Sequence, residues 1–323
     1  MGTLYLDRKH LSLELRNGQL LIREPQRPPR GIPLKLLERL VIRAHTGLDS
    51  SLLAALGQAG IGVLCLGGRH GRQRALLHGP GHADARRRLA QYRVMSEPAI
   101  RSAWTRLLLR AKLAAQRQLL AEALSLRPDR RKPLHDAVAQ HEALLPRLAQ
   151  TDDLDALRGL EGAAAAVYFA ALATLFPPSL GFHGRHRRPP PDPVNAALSL
   201  GYTLLHGEAV LACHGAGLDP LLGFFHEPAY GRESLACDLI EPLRPRLDGW
   251  VWRLFAEREL RAEHFTRERS ACLLGKSGRE LYFPRYERLA VMLRRYLRRA
   301  CYRLAAALKP LAPALAESAE ELP

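Results

Sequence analysis

The chain has 323 residues, with 48 Lys and Arg against 32 Asp and Glu, a formal net charge of +16 and a pI near 10.2. That length supports two domains and at least one sizeable core, and the charge favours a nucleic-acid partner over an anionic membrane surface, although a coding bias that enriches Arg, Ala and Leu together competes as its source. The cysteines, Cys65, Cys213, Cys237, Cys272 and Cys301, are odd in number and form no CxxC, which excludes a complete disulfide framework and predicts reduced thiols in a cytoplasmic protein; MGTLYLDRKH lacks an apolar signal region, and no uninterrupted apolar run reaches the roughly 18 residues of a membrane span, so no membrane partner is expected.

Residues 1 to about 80 read as β-rich. Short strands are predicted at Leu4–Leu6, Leu11–Leu15 and Leu20–Arg23, with Asn17-Gly18 as a hairpin turn. Pro25–Pro33 reads as a connection and Leu40–Ala44 as another strand. Asp49–Gln58 reads as a short helix capped by Asp49 or Ser50. Ile61–Leu66 and Arg72–Leu77 complete the strands before Gly79-Pro80-Gly81 breaks the pattern.

From about residue 82 the apolar spacing becomes helical. Helices are predicted over Ala83–Met95, Ala99–Ser125, Leu134–Leu145, Leu154–Phe176, Val194–Gly215 and much of Leu235–Glu263. Pro98, Pro128, Pro133 and Pro146 punctuate them. The stretch from Ala163 to Phe176 reads as a buried, closely packed helix. Gly181–Pro193 is a basic, Pro-rich loop. Gly275–Phe283 reads as a turn or small hairpin, Arg285–Leu308 as a basic amphipathic helix, and the tail from Pro310 as frayed. The fold class is therefore α+β: a small β-rich N-terminal domain over 1–80 joined at Gly79–His82 to a larger all-α domain over 81–323.

Three groups carry potential chemistry. The segment from His226 to Pro245 places an imidazole, Asp238 and Glu241 in one window, with Arg244 and Arg246 behind them. Asp238 and Glu241 are three apart and share a helix face. Leu235, Ala236, Leu239, Ile240 and Leu243 surround them, which predicts a buried helix rather than the exposed acidic face such spacing usually marks. His226 follows Gly223-Phe224-Phe225 and is expected where the chain opens toward a cleft. Glu161 begins an apolar, small-residue helix and needs a partner, because an unpaired buried charge is costly. By spacing alone, a salt bridge to Arg158 or to another helix is the better reading of Glu161. Oxygen ligands with one imidazole suit Mn²⁺ or Mg²⁺ better than a structural zinc.

Arginines cluster at Arg69, Arg72 and Arg74, at Arg86, Arg87 and Arg88, at Arg185, Arg187 and Arg188, and along the last helix at Arg285, Arg288, Arg294, Arg295, Arg298 and Arg299. Each cluster alone is an ordinary solvated face. Together they suit a phosphate-tracking surface, with Arg244 and Arg246 as further phosphate contacts. Gly67-Gly68-Arg69-His70-Gly71 lacks the Lys-Ser/Thr of a nucleotide loop.

Three ordered segments resemble the CRISPR-associated integrase of the spacer-acquisition module, the "Cas one" family. They are RGLEGAAAAVYF at 158–169, RRPPPDPVNAALSLGYTLL at 187–205 and HEPAYGRESLACDLIEPLRP at 226–245. The resemblance spans essentially the whole chain. It implies an N-terminal β-domain that mediates a homodimer and a helical catalytic domain. It also implies Mn²⁺ or Mg²⁺ held by Glu161, His226 and Glu241, with Asp238 supporting the site. The implied activity is that of a DNA endonuclease and integrase in antiviral defence. Such an enzyme joins the 3′-hydroxyl of a spacer-precursor duplex to a CRISPR repeat array by transesterification. A small ferredoxin-like adaptation subunit is the implied partner. Two other readings stand beside it. One is a stand-alone metal-dependent nuclease for branched or single-stranded DNA. The other is a non-catalytic DNA-binding scaffold whose acids are structural.

Overall fold

Alternating apolar residues and one two-residue turn organise the N-terminal part of the computed structural model, which describes residues 2–67, 73–79, 85–186, 189–268 and 271–312. The chain divides into two compact units, Met1–Ala83 and Asp84–Pro323, each considered by itself below.

In the first unit, β2 (Leu11–Arg16) and β3 (Gln19–Arg23) pair antiparallel around Asn17-Gly18. Both turn residues have positive φ, 49° and 70°, as a primed hairpin turn requires. Leu11 and Leu13 point inward at period two and meet Leu20 in the core. β4 (Arg30–Pro33) adds to β3 and β6 (Thr46–Leu48) adds to β2, giving the order β4-β3-β2-β6. The second sheet runs β1-β5-β7-β8, from β1 (Gly2–Leu6), β5 (Leu37–Ile42), β7 (Gly62–Gly67) and β8 (Gln73–Leu77). β7 lies between two partners, and its unbroken apolar run matches burial on both faces. Helix α1 (Ser50–Gln58) starts at Asp49, whose carboxylate accepts from the Leu52 amide at 2.7 Å. Leu52 and Leu56 bring α1 onto the same core.

Two strands of this unit escape the sequence pattern. The Pro25–Pro33 stretch is not only a connection, because its last four residues form β4. That strand occupies a sheet edge, where proline and charge are tolerated. β6 has only three residues, two of them exposed, so it carries no alternation to detect.

The second unit is helical: α2 (Arg86–Ser96), α3 (Pro98–Leu126), α4 (Arg131–Ala149), α5 (Leu154–Ala173), α6 (Pro193–Gly215), α7 (Ser234–Ile240), α8 (Arg244–Ala256) and α9 (Lys276–Leu308). A tight 3-10 turn, Glu241–Leu243, joins α7 to α8. One core cluster gathers Leu109 and Leu113 from α3, Leu157 and Ala164 from α5, Phe224, Phe225 and Leu235. These apolar residues flank every candidate ligand along the chain.

Four expectations change here. The hairpin is not at Gly275–Phe283 but earlier, formed by β9 (Phe265–Glu268) and β10 (Ala271–Leu274). α9 then begins at Lys276 and runs through Pro284. An interior proline costs a helix about 3 kcal/mol, but Tyr282 and Tyr286 are fully buried one turn apart and both pack against Trp250. Pro146 likewise does not stop α4, which continues to Ala149. α5 ends at Ala173 and is buried on one face only: Leu157, Leu160, Ala164, Tyr168, Ala171 and Leu172 face inward, while Gly162, Ala163, Ala166 and Ala170 are exposed. By length and apolarity α5 and α6 are also long enough to cross a membrane. We read both as core helices, since α6 is mostly buried and α5 carries Arg158 and Glu161, engaged by other elements. Arg294, expected on a basic surface, is instead buried between Glu208 and Glu287.

A polar node ties three of these helices together. Tyr168 of α5 donates to Asp248 Oδ2 at 2.7 Å, and Tyr202 of α6 donates to Oδ1 of the same α8 carboxyl. Burial raises the Asp248 carboxyl to about 6, against the two tyrosine hydrogen bonds and the Arg244 and Arg185 charges, which pull it down. A raised folded value means that the contribution of this group is full below about pH 4 and is lost as pH rises through about 6. The rise from an ordinary 3.8 to about 6 is worth roughly 3 kcal/mol. We therefore expect Asp248→Asn to destabilise most at low pH. Urea midpoints of wild type and variant, compared from pH 4.5 to 7.5, should converge by roughly 2–3 kcal/mol; a gap that widens with pH would refute the assignment.

Candidate active site

Asp238 organises the site, and its surroundings explain why. The loop Gly223–His226 closes over the start of α7. A Cβ on Gly223 would lie 2.6 Å from the Ser234 carbonyl carbon and 2.8 Å from Asp238 Oδ2, so only glycine allows this approach. The close approach aims successive backbone amides at one carboxylate. Phe224 N and Phe225 N donate to Asp238 Oδ2 at 2.7 and 3.0 Å, and His226 N donates to Oδ1 at 3.0 Å. His226 Nδ1 also lies 2.6 Å from Oδ1. A carboxylate can only accept, so Nδ1 donates its N–H to Asp238, and Nε2 is turned toward Glu241. Asp238 is fully buried and spends its oxygens on these donors. It therefore orients His226 rather than facing the cleft.

Glu241 lies one turn on, at the first position of the 3-10 turn. Its side chain is 3% exposed. His226 Nε2 is 4.0 Å from its Oε1, Arg244 Nη2 forms an ion pair with Oε1 at 3.1 Å, and Lys112 Nζ donates to Oε2 at 2.5 Å. Burial pushes the Glu241 carboxyl up, but Arg244, Lys112 and His226 outweigh it and bring the group down to about 2. It is ionised throughout the neutral range. Lys112 also donates to Glu161 Oε1 at 2.5 Å. Glu161 thus has a salt bridge to another helix, as its spacing alone suggested, but not to Arg158. Arg158 pairs with Asp155 and Glu227, each at 2.5 Å.

The candidate residues therefore meet: α3, α5, the Gly223–His226 loop and the 3-10 turn bring Lys112, Glu161, His226 and Glu241 into one charged cluster. Glu161 and His226 are the accessible members, with side chains 22% and 15% exposed. Among the described residues, no three of His, Cys, Asp and Glu are already closed around one metal-sized point. The residues still fit a cation, because a lysine ammonium sits between the two carboxylates. Two carboxylates and an imidazole nitrogen form a donor set suited to Mg²⁺ or Mn²⁺.

The arginines divide. Arg244, expected to hold phosphate, is committed inward: it pairs with Glu241 and its guanidinium lies 4.8 Å from the centre of the Tyr202 ring. Arg185 lies over the same ring at 5.2 Å and bonds Asn195 and Ser199. Arg246 is exposed and lies over Tyr296 at 5.1 Å. It borders an open groove of about 810 Å³ that also takes in Ala111, Ala115, Pro242 and Leu243, the immediate neighbours of the site. Arg69, Arg72, Arg187 and Arg188 lie outside the described residues, and only the backbone of Arg74, in β8, is described.

Lys112 escaped the sequence reading. Its signal was present: Leu109, Lys112, Leu113, Gln116 and Leu120 share one stripe of α3, and all are buried. A lysine on an apolar stripe implies a buried anion opposite it. Arg101 was also missed. It bonds the Phe224 carbonyl and Glu227, steadying the loop that carries His226.

Comparison with known proteins places the chain in a family. The family model for CRISPR associated protein Cas1 matches residues 4–288. The CRISPR-associated endonuclease Cas1 1 of Thermodesulfovibrio yellowstonii is 36% identical over 295 residues, covering 89% of this chain and 91% of the relative. Among solved structures, a Cas1 protein from Thermotoga maritima superposes with a TM-score of 0.83 at 19% identity, covering 96% of this chain and 97% of that one. A casposase bound to integration product superposes with a TM-score of 0.79 at 21% identity, covering 95% and 91%. These two structural likenesses speak to the fold. With a family match over most of its length and a charged cleft drawn from the same segments, the chain belongs to the CRISPR-associated Cas1 family.

Proposed function

We propose that this chain is a divalent-metal-dependent DNA endonuclease and integrase that inserts short duplexes into a CRISPR repeat array. The observation that carries the proposal is that Glu161 and Glu241 share one ammonium while an Asp238-oriented His226 turns Nε2 toward Glu241. Glu161, His226 and Glu241 would hold Mg²⁺ or Mn²⁺. A divalent ion there supplies charge neutralisation and Lewis acidity to a phosphodiester.

The protein groups do the positioning. Asp238 fixes the His226 ring so that Nε2 faces Glu241. Arg244 keeps Glu241 ionised from behind. Arg246, at the groove beside the site, is placed to meet a backbone phosphate. In strand transfer, a 3′-oxygen forms a bond to phosphorus as the bond to the leaving 3′-oxygen breaks. One phosphodiester replaces another, so no external energy source is needed. Cutting uses water in place of the 3′-hydroxyl at the same centre.

The net charge of +16 suits a protein that accepts duplexes of varied sequence through backbone contacts. The wider assembly follows from family membership: a homodimer formed through the N-terminal domain, a small ferredoxin-like adaptation subunit as partner, and a cytoplasmic setting. The domain boundary near residue 80 is part of the same reading.

A strand-transfer assay tests the proposal, using the small subunit, a duplex with 3′-hydroxyl ends and a supercoiled plasmid bearing a repeat array. Joined product should require Mn²⁺ or Mg²⁺, vanish in EDTA, and fall by about 10²-fold or more in His226→Ala, Glu161→Gln and Glu241→Gln. Nicking without joining would favour a stand-alone nuclease, and product indifferent to EDTA and to His226→Ala would remove the metal site. Asp238→Asn should lose less, about 10- to 100-fold, because it disturbs the orientation of a ligand rather than the ligand. A loss in Asp238→Asn equal to that of His226→Ala would show Asp238 acting at the metal itself.

A further inference from the structure

Lys112 stands where the divalent cation of the proposed site would stand. Its Nζ lies 2.5 Å from Glu161 Oε1 and 2.5 Å from Glu241 Oε2. The residue is buried within the α3 stripe, flanked by Leu109 and Leu113. Both carboxylates spend an oxygen on this ammonium. The second oxygen of Glu241 is already met by Arg244 at 3.1 Å. Mg²⁺ needs oxygen ligands at about 2.0–2.1 Å. An ammonium sharing the same two oxygens would lie within a few ångströms of the ion and repel it.

We infer that Lys112 is an internal counter-cation: its ammonium closes the site in the absence of a divalent ion, and ion binding requires it to leave. The inference rests on the proposed divalent-cation site formed by Glu161, His226 and Glu241. Of the two cations holding Glu241, Lys112 is the one built to move. Arg244 is fixed by its stack on Tyr202, whereas a lysine carries a point charge on a flexible four-carbon stem. The exchange makes and breaks no covalent bond. It swaps one monovalent cation for one divalent ion at the same pair of oxygens. Two acids in a low-dielectric pocket thus stay compensated whether or not metal is present.

The closed form competes with metal by mass action. A metal-ready minor state populated to about 10% or less weakens apparent affinity by about ten-fold or more, and removing the competitor restores it. The test is Mn²⁺ titration of full-length wild type and Lys112→Met, read by the electron paramagnetic resonance of free Mn²⁺, with melting temperatures in EDTA and in Mn²⁺. Lys112→Met should melt lower than wild type in EDTA, bind Mn²⁺ about ten-fold or more tightly, and regain more melting temperature on binding. Reductive methylation of wild type, read by mass spectrometry, tests the same idea without a variant. Lys112 should be protected in EDTA and labelled several-fold faster in Mn²⁺. Equal Mn²⁺ affinity in both proteins, or labelling of Lys112 that Mn²⁺ leaves unchanged, would overturn the counter-cation while leaving the metal site standing. Failure of either protein to bind Mn²⁺ would overturn the metal site itself, and the counter-cation with it.

Discussion

Keeping a fully buried carboxylate ionised is the constraint around which the helical unit is arranged. Glu241 is desolvated by its position between α7 and α8, and desolvation alone would neutralise it. Three cationic or polar groups from three directions reverse that outcome: Arg244 one turn along, Lys112 across from α3, and His226 from the loop. Each of these needs its own support. Arg244 leans on Tyr202, which bonds Asp248, which also bonds Tyr168. His226 leans on Asp238, which draws three backbone amides onto itself. The polar chain from Tyr168 to Lys112 thus crosses α5, α8, α6 and α3. A buried ion pair is weak evidence of stability in itself, but this network fixes where each charge points.

Much of this could be read from residues alone, for identifiable reasons. Strong local rules produced the Asn17-Gly18 turn, the Asp49 cap and the apolar run of β7, and each reappears in place. The window from His226 to Glu241 was legible because its acids are framed by leucines that predict burial. What local rules missed was decided at a distance. β4 is a strand because an edge was available to it, not because Arg30–Pro33 favours extension. α9 continues across Pro284 with Tyr282 and Tyr286 on either side of it packed on Trp250, a tertiary contact that local sequence rules do not see. Lys112 was passed over because a lysine is read by default as surface, although its own stripe placed it inside. Arg244 was misjudged for the converse reason: an arginine beside an acid suggests a phosphate contact until the ring beneath it is seen.

The different surroundings of Asp238 and Glu241, both buried, show where pattern reading stops. The two residues are three apart and equally suited as ligands by type. Only the path of the Gly223–His226 loop separates them. Because Gly223 lets the loop descend onto α7, three amides reach Asp238 and none reach Glu241. Backbone donors thus commit Asp238 to holding the imidazole, while Glu241 is met by Lys112 and Arg244 side chains.

The members of the site are scattered widely in order of synthesis. Lys112 and Glu161 are 49 positions apart, and Lys112 and Glu241 are 129 apart. A growing polypeptide therefore carries Lys112 and Glu161 for a long stretch of synthesis before His226 and Glu241 exist, and a fragment that stops short of residue 226 cannot assemble the cluster.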